Sequence, residues 1–93
     1  MGVDQIYSVS TFAQGISIHE ILKERDRQDE KWGSQRHLSD QEWLTILVEK
    51  VGEAAKDILD KNPNGLKTEV TQVAAVALEW LEALTARHDE NPS

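Results

Sequence analysis

The sequence predicts an all-α protein, an antiparallel helical bundle with three main helices at about 17–31, 40–61 and 66–87. Three observations predict it. Apolar residues recur at three-four spacing through each stretch, capping-box patterns stand where the first two begin, and the connection GSQRHL at 33–38 has no strand signature. With 93 residues the chain is expected to form one domain with a single core.

Taken in order, residues 1–16 hold scattered Ile6, Tyr7, Val9 and Phe12 among polar residues, without a sustained helical period, and read as an extended or disordered arm. Ser17-Ile18-His19-Glu20 is a capping-box pattern, so the first helix is expected to start there. Ile18, Ile21, Leu22 and Arg25 form its buried stripe, and Gly33 is a natural terminator. Ser39-Asp40-Gln41-Glu42 repeats the box ahead of a second helix. Trp43, Leu44, Ile46, Leu47, Val51, Ala54, Ala55, Ile58 and Leu59 give that helix a broad apolar face. Asn62-Pro63-Asn64-Gly65 reads as a turn, because proline presets one dihedral and Asn-Gly tolerates positive φ.

The third helix is apolar over most of its circumference, from Val70 to Leu84, which is more than one partner helix can bury. It therefore belongs at the centre of a bundle completed by a second subunit, and a homodimer or homotetramer is expected. Residues 17–88 then make up the helical domain, and 89–93 a frayed tail.

Composition narrows the function classes. A net charge of -7 leaves no basic footprint for a nucleic-acid polymer. The absence of cysteine excludes disulfides and thiolate metal sites and fits a reducing cytoplasm. No 18-residue apolar run is present and the N-terminus lacks the basic start of a signal peptide, so a soluble, cytoplasmic protein with no membrane partner is expected.

The candidate chemistry lies in the second and third helices. Glu49 and Glu53 are four residues apart, hence one turn apart on one helix face, and Glu69 stands on an otherwise apolar helix. Glutamate pairs at this spacing also decorate solvated faces, but Val51, Gly52, Ala54 and Ala55 surround Glu53 where a solvated face would carry Lys, Gln and Glu. Gly52 inside a helix costs about 1 kcal/mol relative to alanine and often allows close approach of another helix or a ligand. Inward carboxylates on two antiparallel helices are a bundle's means of holding a hard cation such as Mg2+, and an acidic pocket accepts a triphosphate only when metal screens the repulsion. Trp32 beside a loop is more often a core plug than a stacking platform, and Trp43, opening an apolar face, reads as core. His19 and His88 read as surface residues.

The run Glu24-Arg25-Asp26-Arg27-Gln28-Asp29-Glu30-Lys31-Trp32-Gly33, then His37, then Trp43-Leu44-x-Ile46-Leu47-x-Glu49-x-Val51-Gly52-Glu53, then Glu69-Val70-x-Gln72-Val73-Ala74-Ala75-Val76, resembles the MazG-like branch of the all-α nucleoside triphosphate pyrophosphohydrolases over residues 18–86. The resemblance implies an oligomer that uses Mg2+ to hydrolyse a nucleoside triphosphate to the monophosphate and pyrophosphate. In that family the metal is held by a Glu-Glu-x-x-Glu run and a Glu-x-x-Asp pair, which fall here on Glu49, Lys50 and Glu53, and on Glu69 and Gln72. Lys50 replaces the second Glu and Gln72 the Asp.

Carried over residue by residue, Glu53, Glu69 and Gln72 are metal ligands. Glu49 is a further ligand or orients the attacking water, so Glu49 and Glu53 are the catalytic pair. Lys50, Arg25 and Arg27 are candidates to neutralise phosphates, and Trp32, His37 and Trp43 to grip the base, with the core reading preferred for Trp43. Arg25 has an equal claim to pair with an internal carboxylate, and Lys50 can neutralise Glu53, contact a phosphate or mark a site without catalysis. A catalytically impaired module that binds a nucleotide or a protein is the alternative function.

Overall fold

The structure is a computed structural model and describes residues 10–34 and 36–90, with side-chain surroundings for 11–34 and 36–87. Three α-helices account for nearly all of them: α1 (Ser10–Trp32), α2 (Asp40–Leu59) and α3 (Pro63–Glu90). No strand occurs among the described residues. Helix α3 packs against both others, most extensively against α2, and so forms the centre of the arrangement. No helix among the described residues is long and apolar enough to cross a membrane.

Helix α1 begins seven residues earlier than the Ser17 capping box predicts. Ser17 is not a cap: its hydroxyl donates to the carbonyl of Ala13 at 2.8 Å, the back-bond of a serine inside a helix. Residues 10–16 of the expected arm are thus helical, while 1–9 lie outside the described residues. The buried stripe is also narrower than expected, since Ile18 and Leu22 are exposed and only Ile21 and Arg25 are half-buried. Gly33 ends the helix as predicted, at φ 87° with its N–H donated to Asp29 O at 2.8 Å.

The second capping box forms. Ser39 Oγ accepts the Glu42 N–H at 3.2 Å and the Ser39 N–H donates to Glu42 Oε1 at 3.1 Å, which fixes the start of α2. At the other end of α2, Lys61 N–H donates to Ile58 O and Asn62 N–H to Asp57 O. This is a Schellman closure with Lys61 at φ 54°, the left-handed position that glycine usually fills.

Asn62-Pro63-Asn64-Gly65 is a helix start and not a free-standing turn. Asn62 caps α3 by accepting the Gly65 N–H on its side-chain oxygen at 3.1 Å, and Pro63 occupies the first helical position, where a missing N–H leaves nothing unbonded. Glycine at 65 leaves room for this cap, because a Cβ would lie 2.9 Å from Asn62 Cγ and from Asp57 Oδ2 and would push both side chains aside. Three residues, 60–62, therefore reverse the chain, and Asn62 serves both helices. Around Gly52 there is open space within the chain, so the close approach expected of it is not made by α1 or α3.

The core is small. Among the described residues only Trp43, Ala75 and Val76 are fully buried apolar side chains. Leu44, Val48, Val51, Ala55 and Ile58 stand exposed on α2 at spacings of four, three, four and three, and Val70, Ala77, Leu81 and Leu84 follow the same register on α3. Replacing Asn62 with alanine is expected to lower stability by about 1 kcal/mol through loss of the cap. Replacing Lys61 with glycine is expected to raise it by roughly 1 kcal/mol by relieving the left-handed strain. Urea unfolding followed by circular dichroism reads both, with Asn64→Ala as the neutral control.

Candidate functional site

Helix α3 carries Glu69, Gln72, Val76, Glu79 and Ala83 at alternating spacings of three and four, so they share one face, which turns inward. Polar residues on this face divide the interior into two regions about ten residues, or roughly 15 Å, apart along the helix axis.

The first region holds the carboxylates. Lys50 Nζ donates to Glu53 Oε2 at 3.3 Å, and the Glu53 and Glu69 carboxyls, from α2 and α3, come close enough to perturb each other's ionisation. Burial, and then the neighbouring Glu53 charge, raise the Glu69 pKa above its ordinary 4.5. The neighbouring Glu69 carboxyl and then Lys50 lower that of Glu53. Gln28, from α1, is only 5% exposed and donates Nε2 to Glu24 Oε2 at 3.2 Å. Glu24 is held ionised chiefly by Arg27, which grips it through Nε at 2.8 Å and Nη2 at 2.6 Å. Three oxygens here are buried and receive no hydrogen bond: Glu69 Oε2, Gln72 Oε1 and Gln28 Oε1.

Those unpartnered oxygens suit a hard cation in kind. In number the fit is incomplete, because among the described residues no group of three or more His, Asp or Glu side chains is arranged to hold a metal ion. Glu49 stands exposed one turn before Glu53 and has no described hydrogen bond or ion pair.

The second region is a cleft of about 850 Å³ between the C-terminal halves of α1 and α3, the connection 33–39 and the start of α2. Trp43, wholly buried, lies beneath it. The Arg36 guanidinium stacks over the Trp43 ring at 5.1 Å and forks onto Glu79 at 2.9 and 3.3 Å, a carboxylate only 4% exposed. Arg25 bonds Asp29 within α1 and Glu82 of α3, so the arginine on the stripe is paired internally. Arg87 closes the far side by bonding Asp40, which also accepts from Trp80 Nε1 at 3.0 Å.

The structure thus brings together Lys50, Glu53, Glu69 and Gln72, with Arg27 on the rim through Glu24. It places Arg25 and His37 in the other cleft. Trp32 is neither core plug nor part of either region: it is 58% exposed, with Lys31 Nζ 4.9 Å from its ring. Trp43 is core, as its position at the head of an apolar face predicts. Four participants were not singled out from sequence. Gln28 and Glu24 lie within the quoted 24–33 run, where their four-residue spacing was available as a signal; Arg36 and Glu79 are 43 residues apart, and no local pattern couples them.

No family model matches the chain, and neither the curated proteins nor the solved structures contain a match.

The paired carboxyls fix a pH dependence. A neutral Glu69 contributes stability that is complete below pH 4.5 and is lost as pH rises through its raised folded-state value, whereas the Glu53 contribution is present above 4.5 and lost on acidification through its lowered value. Glu69→Gln is therefore expected to flatten the decline of the thermal midpoint as pH rises above 4.5. Above pH 7 it should unfold at a higher temperature than the wild type, as read by circular dichroism in the presence of a chelator.

Proposed function

We propose that the chain is a Mg2+-dependent nucleoside triphosphate pyrophosphohydrolase of the house-cleaning type, releasing pyrophosphate and a monophosphate in the cytoplasm. The observation that carries this reading is the meeting of Glu53 and Glu69 across α2 and α3, beside the unpartnered oxygens of Gln72 and Gln28. Its local motifs are those through which the sequence resembles the MazG-like enzymes.

Glu53, Glu69 and the Gln72 amide oxygen would hold the metal, with Glu49 one turn away. Bound there, Mg2+ supplies neutralisation of phosphate charge and a more acidic water. The chain's own residues supply the rest. Glu53, kept ionised by its neighbours, is available as a charged ligand and to orient water. Arg27, Lys23 and Lys67 present positive charge to phosphates in the groove between α1 and α3, a space of about 420 Å³ that Glu20 and Glu24 also border, and Lys50 is a further candidate through its place beside Glu53. In the large cleft, His37 is the candidate to face a base, beside the Arg36 guanidinium stacked over Trp43.

The same proposal includes a homo-oligomer. The two exposed apolar seams follow a 3.5-residue period, which suits knobs-into-holes packing against another helix pair. Side chains such as Val48 at 60% and Leu81 at 58% exposure are unfavourable to leave in water. A second copy of the chain offers an identical pair of seams, as a two-fold interface requires. Dimer and tetramer both satisfy it.

One observation favours a second reading, a module that binds nucleotide or protein without turnover: the Lys50 ammonium already pairs with Glu53, a proposed ligand. Pyrophosphate release from a panel of ribo- and deoxyribonucleoside triphosphates, with and without Mg2+, separates the two. The enzyme reading expects turnover that requires metal and falls by about a hundredfold or more in Glu53→Gln. Turnover absent from folded, oligomeric protein across the panel supports the binding module. Sedimentation equilibrium is expected to give at least about twice the 10.5 kDa chain mass, and Val48→Glu combined with Leu81→Glu to yield monomer or unfolded chain.

A further inference from the structure

Around Lys50 the chain gathers carboxylates from all three helices. Glu53 of α2 accepts its hydrogen bond, and the Lys50 charge also acts on Glu24 of α1 and Glu69 of α3. Arg27 neutralises Glu24 from outside, but among the described residues Lys50 is the one cation bonded to either Glu53 or Glu69. Its side chain is 28% exposed, so the ammonium is partly withdrawn from water and its charge is less screened than that of a surface lysine. Gln28, 5% exposed, commits its Nε2 to Glu24 and leaves its Oε1 buried without a donor, and Gln72 Oε1 is in the same condition.

An ammonium has three donors, and one is engaged by Glu53. It offers what these oxygens lack, positive charge and further N–H groups, without the short ligand distances and near-octahedral shell that Mg2+ demands. A divalent ion entering the same space would meet a fixed like charge and would have to compete with it for Glu53.

We infer that Lys50 is a built-in cation that occupies the place a divalent ion would need beside Glu53 and Glu69, and that it holds the affinity of the chain for divalent metal low. The inference rests on the reading of Glu53 and Glu69 as ligand groups, and it deepens that reading by naming the residue that limits metal occupancy. It requires neither turnover nor nucleotide.

The test is calorimetric titration of Mg2+, repeated with Mn2+ followed by electron paramagnetic resonance, into the metal-free full chain without nucleotide. Lys50→Glu is expected to bind either ion at least tenfold more tightly than wild type, with Lys50→Met between them. Lys56→Met, which removes a lysine paired with Asp60 on the solvated side of α2, is expected to match wild type. An unchanged or weaker affinity in Lys50→Glu, with helicity intact by circular dichroism, overturns the inference. If Lys50→Glu does not fold, an unchanged affinity in Lys50→Met overturns it equally. The two readings fail separately. Wild type without pyrophosphate release, beside Lys50→Glu with gained metal affinity, removes the catalytic reading and keeps the role of Lys50. Metal-dependent turnover with affinity indifferent to Lys50 does the reverse.

Discussion

The Arg36 guanidinium, laid over Trp43 and forked onto Glu79, is the interaction on which the arrangement depends. It joins the 33–39 connection, the first turn of α2 and the middle of α3. Glu79 has almost no access to water, and a buried carboxylate is tolerated only when its partner is fixed in good geometry. Trp43 is the largest side chain wholly removed from solvent in a core of very few residues. Losing the guanidinium would leave a buried charge unpaired and uncover the ring beneath it. The position of α2 on α3, and hence the meeting of Glu53 with Glu69, follows from this clasp and from the three-residue reversal at 60–62.

Polar residues on the inner face of α3 explain how so small a core coexists with so much buried functionality. Glu69 and Gln72 lie toward one end of that face and Glu79 toward the other, separated by Val76. At the Glu79 end Arg36 forks onto the carboxylate, while Trp43 Nε1 and Arg25 Nε are buried without an acceptor. At the Glu69 end two carboxyls come together, and three oxygens have no donor. Unsatisfied buried acceptors are disfavoured, and a cation or a donor would relieve them. The metal and phosphate chemistry is proposed in the space beside them.

Local signals were legible in the sequence wherever the physics is local. The Ser39 box depends on two side chains three residues apart, and it formed; Gly33 terminates α1 through its own backbone freedom. The Ser17 box has the same composition and did not form, because the preceding turn is itself helical and gives Ser17 an interior position. Asn62-Pro63-Asn64-Gly65 has the composition of a turn and of a helix start alike. The Schellman closure at Lys61, which no glycine advertises, completes the reversal first and leaves Pro63 free to begin α3. Trp32 and Trp43 both flank the same connection, yet one is exposed and the other is core. Their difference comes from which face of each helix meets α3.

By itself the sequence determined the helical class, the central place of the third helix, and the adjacency on one face of residues three or four apart, because helix periodicity and capping act over a few residues. Tertiary structure alone decided which distant residues meet. It matched Arg36 with Glu79 and Glu53 with Glu69, sent Arg25 and His37 to a cleft apart from the carboxylates, and left Glu49 facing water. Such pairings depend on how helices rotate and cross when they pack, a collective outcome of fitting side chains across two surfaces that no spacing along one chain encodes.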